Sequence, residues 1–391
     1  MLDAAEITQT GRAYLQVGNN EVYELFQSAW SGADYQPDKD DMGIEDHTIY
    51  LINELGQYEI LNEDLSGLEE ADEIKEVPTE LDAIVQNIKL LTEEQNIPPV
   101  PQPWLPPLKE RITLEDLEVV QPAVAWKQEK SLSFLLGMAD IPQAQTQEAV
   151  SIDLSKDGHV LLYGSPGTGK TTFLQTAAMD LARKHSPKAL TMYLMDFGTN
   201  GLAPLSKLPQ VADTMLLDQA EKIAKFVRIM DRELNRRKKL LADYGVGTLE
   251  LYRQASGQEE PAIVILLDSY ESIKEEAYEA ELFKLLVRIS REGLSIGVHL
   301  LMTAGRQSNL RAQLYSNFKH QLSLPQNDVS EVRSIVGSTP LAMTMEDIKG
   351  RALMKRDEVD VIQFALPVAG ANDAQVLNNL RQAVASLQEA W

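Results

Sequence analysis

Residues 164–171 read Gly-Ser-Pro-Gly-Thr-Gly-Lys-Thr, the spacing of a Walker A phosphate-binding loop. The chemistry follows from the residue types. Gly164, Gly167 and Gly169 let the backbone bend, so that its N–H groups and the next helix N-terminus form a nest for phosphate oxygens. Lys170 would bridge the β- and γ-phosphates, and Thr171 would place its hydroxyl on Mg²⁺. Ser165, Pro166, Thr168 and Thr172 complete the nucleotide-binding set. ATP and Mg²⁺ are the expected ligands.

The flanks of the loop fit this chemistry. His159–Tyr163 is a short apolar run of buried-strand type, and Thr172–Ala182 has apolar residues at helical spacing. A second acid must hold the metal. Ile263–Asp268 is a continuous apolar run ending in Asp, the pattern of a central parallel strand. Asp268 is thus the expected catalytic and metal-side acid, sharing Mg²⁺ with Thr171. In ATPases of the additional-strand class, a Glu that activates water usually follows this acid. Here Ser269 follows, and a serine hydroxyl lacks the basicity for that task, worth about 10²–10⁴-fold. Glu271 could substitute only if the chain turns sharply; the favoured reading is a solvated Glu opening a helix. Slow or absent hydrolysis by the chain alone is the expectation.

Leu190–Asp196 and Val298–Thr303 read as further buried strands, each with a polar end. Thr303, Arg306 and Gln307 are candidate γ-phosphate sensors, although Thr303 reads equally well as a simple strand end. Strands alternating with helical segments such as 220–241 and 278–291 predict an α/β fold with a doubly wound, mostly parallel sheet. Ligands of such sheets sit at the carboxyl ends of the strands, where Asp268 and Thr303 fall.

Residues 111–370 resemble the FtsK/SpoIIIE family of RecA-like translocation ATPases. The likeness rests on the loop, on Met230–Val246, on Gly293–Gln307, and on Ser316–Leu324, Asp328–Gly337 and Lys349–Leu353. Within the family the chain is most similar to the EssC/EccC-type ATPases of type VII secretion systems. Pro103–Leu108 and Leu136–Pro142 look like their inter-domain linker and the start of a domain. The resemblance implies a RecA-like P-loop module of a membrane-associated secretion motor on the cytoplasmic side of the cell membrane. It implies other ATPase modules and secreted helical, WXG100-like proteins as partners, with a hexamer as the working assembly. Any membrane anchor would then lie outside this chain. Ser269 departs from the active pattern, and Lys319 stands where DNA-translocating relatives often carry Arg. A DNA-translocase module and a non-catalytic nucleotide-binding scaffold are the alternatives.

The N-terminus carries an internal echo. Gly11-Arg-Ala and Gly350-Arg-Ala each open a strand, a polar turn and a Val-containing return strand, the pattern of a β-hairpin. Residues 1–62 are therefore expected to be the last hairpins of a preceding module, with a second hairpin at 47–61 and Met1 internal to a longer protein. Residues 63–110 form an acidic helical and proline-rich linker, and 111–391 the P-loop domain. Residues 79–95 predict an amphipathic helix capped by Thr79, whose apolar stripe must pack on something.

Composition narrows the choices. The net charge is −23, and residues 34–97 hold 19 acidic residues against three lysines. Nucleic-acid binders usually show a basic stripe. The only dense basic run, Arg236–Lys239, reads as a solvated helix face. With no cysteine, there is neither a disulfide framework nor a thiolate metal site. No apolar run approaches the length of about 18 residues that would span a bilayer.

Overall fold

Residues 262–268 are apolar at every position but the last, and all are buried. A strand buried on both faces needs a layer of helices on each side. A computed structural model shows that arrangement and describes residues 7–17, 22–30, 32, 35, 49–52, 56, 58–60, 79–98, 105–120 and 131–391. The chain divides into two compact units, Met1–Pro101 and Gln102–Trp391.

In the first unit, β1 (Arg12–Val17) pairs antiparallel with β2 (Val22–Gln27), and β3 (Tyr50–Ile52) with β4 (Tyr58–Ile60). Both expected hairpins are present. Helix α1 (Glu80–Glu94) starts at Thr79, which forms a reciprocal capping box with Asp82. Its apolar stripe, including Ile84, Val85 and Ile88, is exposed, and no residue of α1 is buried. The acidic stretch 61–78 and the proline-rich residues 99–104 lie outside the described residues.

The second unit opens with β5 (Ile112–Thr113), α2 (Leu114–Val120), β6 (Ser133–Ile141), β7 (Thr146–Asp153) and α3 (Leu154–Asp157). The nucleotide-binding part follows as β8 (Val160–Tyr163), α4 (Lys170–Lys184), β9 (Leu190–Asp196), β10 (Val211–Leu216), α5 (Ala220–Asp243) and α6 (Leu249–Ser256). Then come β11 (Ala262–Asp268), α7 (Glu279–Ile296), β12 (Val298–Ala304), α8 (Ala312–Tyr315), β13 (His320–Ser323), α9 (Val329–Val336) and α10 (Leu341–Thr344). The chain closes with β14 (Arg351–Lys355), β15 (Val359–Leu366) and α11 (Asp373–Ala390). The sheet order is β10-β9-β11-β12-β8-β13-β14-β15-β6-β7, with β5 beside β15. Strands from β10 to β13 run parallel, and those from β13 to β7 antiparallel. This is the expected α/β fold, extended by an antiparallel half. Its strands β6 and β7 carry no strand pattern in the sequence reading.

The two-residue period of β11 divides the core. Val264 and Leu266 face a cluster with Phe173, Leu174 and Ala177 of α4. Ile263, Ile265 and Leu267 face another with Phe226 and Met230 of α5 and Leu282 and Leu286 of α7. Helix α7 runs past the expected end at 291 to Ile296, and Gly293 on it lies so close to Val298 O that a Cβ there would collide.

The basic run on α5 requires a correction. Arg237 is buried, not solvated. It donates to Ile296 O at 2.9 Å and Pro261 O at 2.7 Å, and it pairs with Glu233 at 2.8 Å. It lies on the stripe Met230, Leu234, Leu241 and ties α5 to the ends of α7 and β11. Arg236 pairs with Glu233 and Glu260 at the surface.

The echoed hairpins share more than pairing. Gly11 and Gly350 both have positive φ, 78° and 81°. Each carbonyl accepts a backbone N–H from the return strand, Ser28 N and Phe364 N, both at 2.8 Å. Gln27 and Gln363 each donate a side-chain amide, at 3.0 Å, to the residue before the glycine.

His159, His185 and His299 are buried, and burial lowers their pKa from 6.5 to about 3, about 4 and about 4. The unfolded chain therefore binds protons that the fold excludes. This stability is complete above about 6.5 and is lost as pH falls toward 4. The melting temperature should drop between about pH 7 and pH 5, ahead of most carboxylate titration. A flat profile across that window would contradict neutral burial.

Candidate functional site

The loop after β8 is fixed by main-chain bonds to three other segments. Gly164 N donates to Ala304 O and Ser165 N to Pro325 O, both at 3.1 Å. Gly350 N donates to Thr168 O at 2.8 Å. Gly167 and Gly169 sit at φ 83° and 116°, a region that strains other residues. Thr168 turns its hydroxyl inward to Ser165 O at 2.8 Å. Ser165 Oγ lies 3.3 Å from Asn327 Oδ1, and Pro166 is on the exposed crest.

Lys170 Nζ donates to Gly164 O at 2.7 Å and Ser165 O at 3.0 Å, closing the mouth of the loop. Burial pulls its pKa down, while the charges of Glu271 and Asp268 act in the other direction. An incoming phosphate would offer stronger, charge-assisted acceptors than these carbonyls.

At the end of β11, Asp268 joins strand to loop. Its Oδ2 accepts from Thr171 Oγ1 at 2.6 Å, and its Oδ1 from Thr303 Oγ1 at 2.5 Å. Thr303 in turn accepts from Ser269 N at 2.9 Å. All three side chains come from the carboxyl ends of parallel strands or the adjoining helix start. A hydroxyl and a carboxylate are hard oxygen donors that suit Mg²⁺, which completes its octahedron with water and phosphate oxygens. Thr171 and Asp268 would hold it there, and the ion would neutralise charge on the transferred phosphoryl group.

Ser269 adopts a left-handed conformation, φ 61° and ψ 58°, and Tyr270–Ile273 follows as a tight 3₁₀ turn. This turn corrects the expectation for Glu271. It is half-buried, not solvated, and accepts from Gly305 N at 3.0 Å beyond the end of β12. The other sensor candidates face elsewhere. Gln307 donates to Ser334 O at 3.4 Å and lines a separate depression with Tyr315 and Glu331, while Arg306 is exposed. Lys319 pairs with Asp157 at the opposite end of β13 from the loop.

Two features have roles that the sequence does not show, one of them at the acid expected to end the strand Leu190–Asp196. Asp196, paired in register with Asp268, is buried and accepts from Leu202 N at 2.7 Å and Gly198 N at 3.3 Å. Burial raises its pKa, opposed by the Leu202 N–H and reinforced by the charge of Asp268. The second is a cavity of about 310 Å³ beside the loop, lined by Gly169, Thr172, Gly350, Phe364 and Leu366. Arg111 and Lys349 meet Asp373 at its rim.

Residues 117–347, more than half of the chain, match the FtsK/SpoIIIE family. The chain belongs to the FtsK/SpoIIIE family. It is 43% identical over 357 residues to the type VII secretion system protein EssC of Staphylococcus aureus (strain NCTC 8325 / PS 47), covering 91% of this chain and 24% of that protein. It is 36% identical over 390 residues to the ESX secretion system protein EccC of Geobacillus thermodenitrificans (strain NG80-2), covering 100% of this chain and 25% of that one. The FtsK/SpoIIIE chain thus spans about a quarter of the length of these relatives. Among solved structures it resembles EssC (ATPases 2 and 3) from G. thermodenitrificans, with TM-score 0.67, 34% identity, and coverage of 73% of this chain and 52% of that one. It also resembles Thermomonospora curvata EccC (ATPases 2 and 3) in complex with a signal sequence peptide, with TM-score 0.65, 27% identity, and coverage of 74% and 54%. Among the described residues, no helix is long and apolar enough to cross a membrane.

Lys170→Ala should weaken ATP binding about tenfold or more, since bonds to charged groups contribute about 1.5–3 kcal/mol. Its melting temperature should stay near the parent value; equal affinity would contradict the assignment. Thr303→Val keeps the shape but strands Asp268 Oδ1 and Ser269 N. It should cost about 1–3 kcal/mol of stability by denaturant titration, the penalty for an unsatisfied buried group.

Proposed function

We propose that this chain is a nucleotide-binding ATPase module of a type VII secretion motor, binding ATP–Mg²⁺ and hydrolysing it slowly or not at all by itself. The observation that carries the reading is the convergence of Lys170, Thr171, Asp268 and Thr303 beside a cavity of about 310 Å³. Phosphates would lie on the loop amides and Lys170, with the base in the cavity against Phe364 and Leu366. Ser269 stands where a water-activating acid would be needed, and Glu271 is engaged by Gly305 N. Chemistry is therefore the weak step and binding the strong one.

The likeness to secretion ATPases supports a place beside other ATPase modules, in a hexameric assembly on the cytoplasmic side of a membrane. The shared Gly–Arg hairpin supports residues 1–62 as the closing part of a second module, with 63–110 as linker and 111–391 as the P-loop domain. The T. curvata relative holds a signal sequence peptide, which supports secreted helical proteins as the cargo here.

Calorimetry and phosphate release on one purified sample test the reading. ATP should bind with Mg²⁺, with turnover far below the roughly 1–10³ s⁻¹ common among enzymes. Ser269→Glu should raise turnover if water activation is the missing element. Absence of ATP binding would overturn the proposal.

A further inference from the structure

Resting on that nucleotide site, we infer that Asp196 is a positioning residue for its Mg²⁺ side. By fixing the loop 197–202 it presses Gly201 against Thr171 and keeps the Thr171 hydroxyl aimed at Asp268. The loop leaves β9 beside the end of β11, where Phe197 N donates to Asp268 O at 3.3 Å. The Asp196 carboxylate holds both ends of the loop, Gly198 N with one oxygen and Leu202 N with the other. Here each carboxylate oxygen takes one N–H, whereas an amide of the same shape would turn a donating NH₂ toward one of them.

The far side of the loop meets α4. Gln175 Nε2 donates to Gly201 O at 2.7 Å, and Thr171 lies one turn earlier on the same helix face. A Cβ on Gly201 would come within 2.3 Å of Thr171 Cγ2. Thr171 is β-branched, so its methyl and hydroxyl turn together about one bond. Moving the methyl away from Gly201 therefore moves the hydroxyl away from Asp268. Gly201 has no positive φ, so alanine there meets no backbone penalty, only this contact. Gly198 is close-packed too, a Cβ there lying 3.1 Å from Ser269 Oγ and 3.4 Å from Asp268 Oδ2. The loop thus acts as a template for the metal-side hydroxyl, whereas the phosphate nest and Lys170 do not depend on it.

Gly201→Ala and Asp196→Asn separate these roles. ATP affinity is measured by calorimetry with Mg²⁺ and again with EDTA in place of the metal. Both variants should keep the parent affinity in EDTA. With Mg²⁺ the affinity should fall about tenfold, the scale set by disturbing groups that orient a metal ligand. Should Asp196→Asn fail to fold, Gly201→Ala alone decides, because its loop position is half-exposed. A parent-like Mg²⁺ response in Gly201→Ala would overturn the loop inference and leave the nucleotide site standing. No ATP binding by the parent would overturn both.

Discussion

Asp268 is a buried carboxylate whose two oxygens are taken by the hydroxyls of Thr171 and Thr303. A polar group buried in that position is tolerable only when it is hydrogen-bonded. The requirement constrains β11, β12, α4 and the loop at once, since each must deliver its group to within hydrogen-bond reach. The parallel half of the sheet meets it by register, with β8, β11 and β12 ending together. The helices on both faces then bury the strands that hold this alignment.

The antiparallel half contributes cavity-lining residues from β15 and direct bonds to the loop and its helix, Gly350 N to Thr168 O and Thr176 Oγ1 to Ala365 O. Gly350 N on Thr168 O links the start of β14 to the back of the phosphate loop. The same segment carries Lys349, which meets Asp373 at the cavity rim, and Arg351, which donates to Leu108 O at 3.1 Å. The loop is thereby tied to the C-terminal helix and to the incoming chain as well as to its own strand. The matching arrangement at Gly11 shows that this hairpin geometry is a reusable unit, set by a glycine with positive φ and a glutamine across from its arginine.

Much of this was legible in the sequence because buried parallel strands announce themselves as unbroken apolar runs. The strands at 190–196, 263–268 and 298–303 are of that kind, and the loop is legible from its glycine, lysine and threonine spacing. Strands β6 and β7 are not: Gly137 and the polar run Thr146-Gln-Glu148 break any simple period. Arg237 was hidden inside a basic quartet, although its spacing from Met230, Leu234 and Leu241 places it on the apolar stripe. Glu271 could not be read, because its position depends on a left-handed Ser269, a conformation with no marker in a non-glycine residue. Gly201 likewise has meaning only once Thr171 lies against it.

The position of β8 has a consequence for how the chain folds. Its two partners, β12 and β13, both lie beyond residue 297, and the hairpin that backs the loop lies beyond residue 350. The phosphate site therefore closes only across long stretches of chain, and such non-local pairings form late and slowly. During synthesis, Val160–Tyr163 emerges as an apolar edge with no neighbour on either side until much of the domain has left the ribosome. An unpaired apolar strand is a hazard for aggregation. Nascent chains of this protein should therefore depend on chaperones most strongly in the interval before β12 appears.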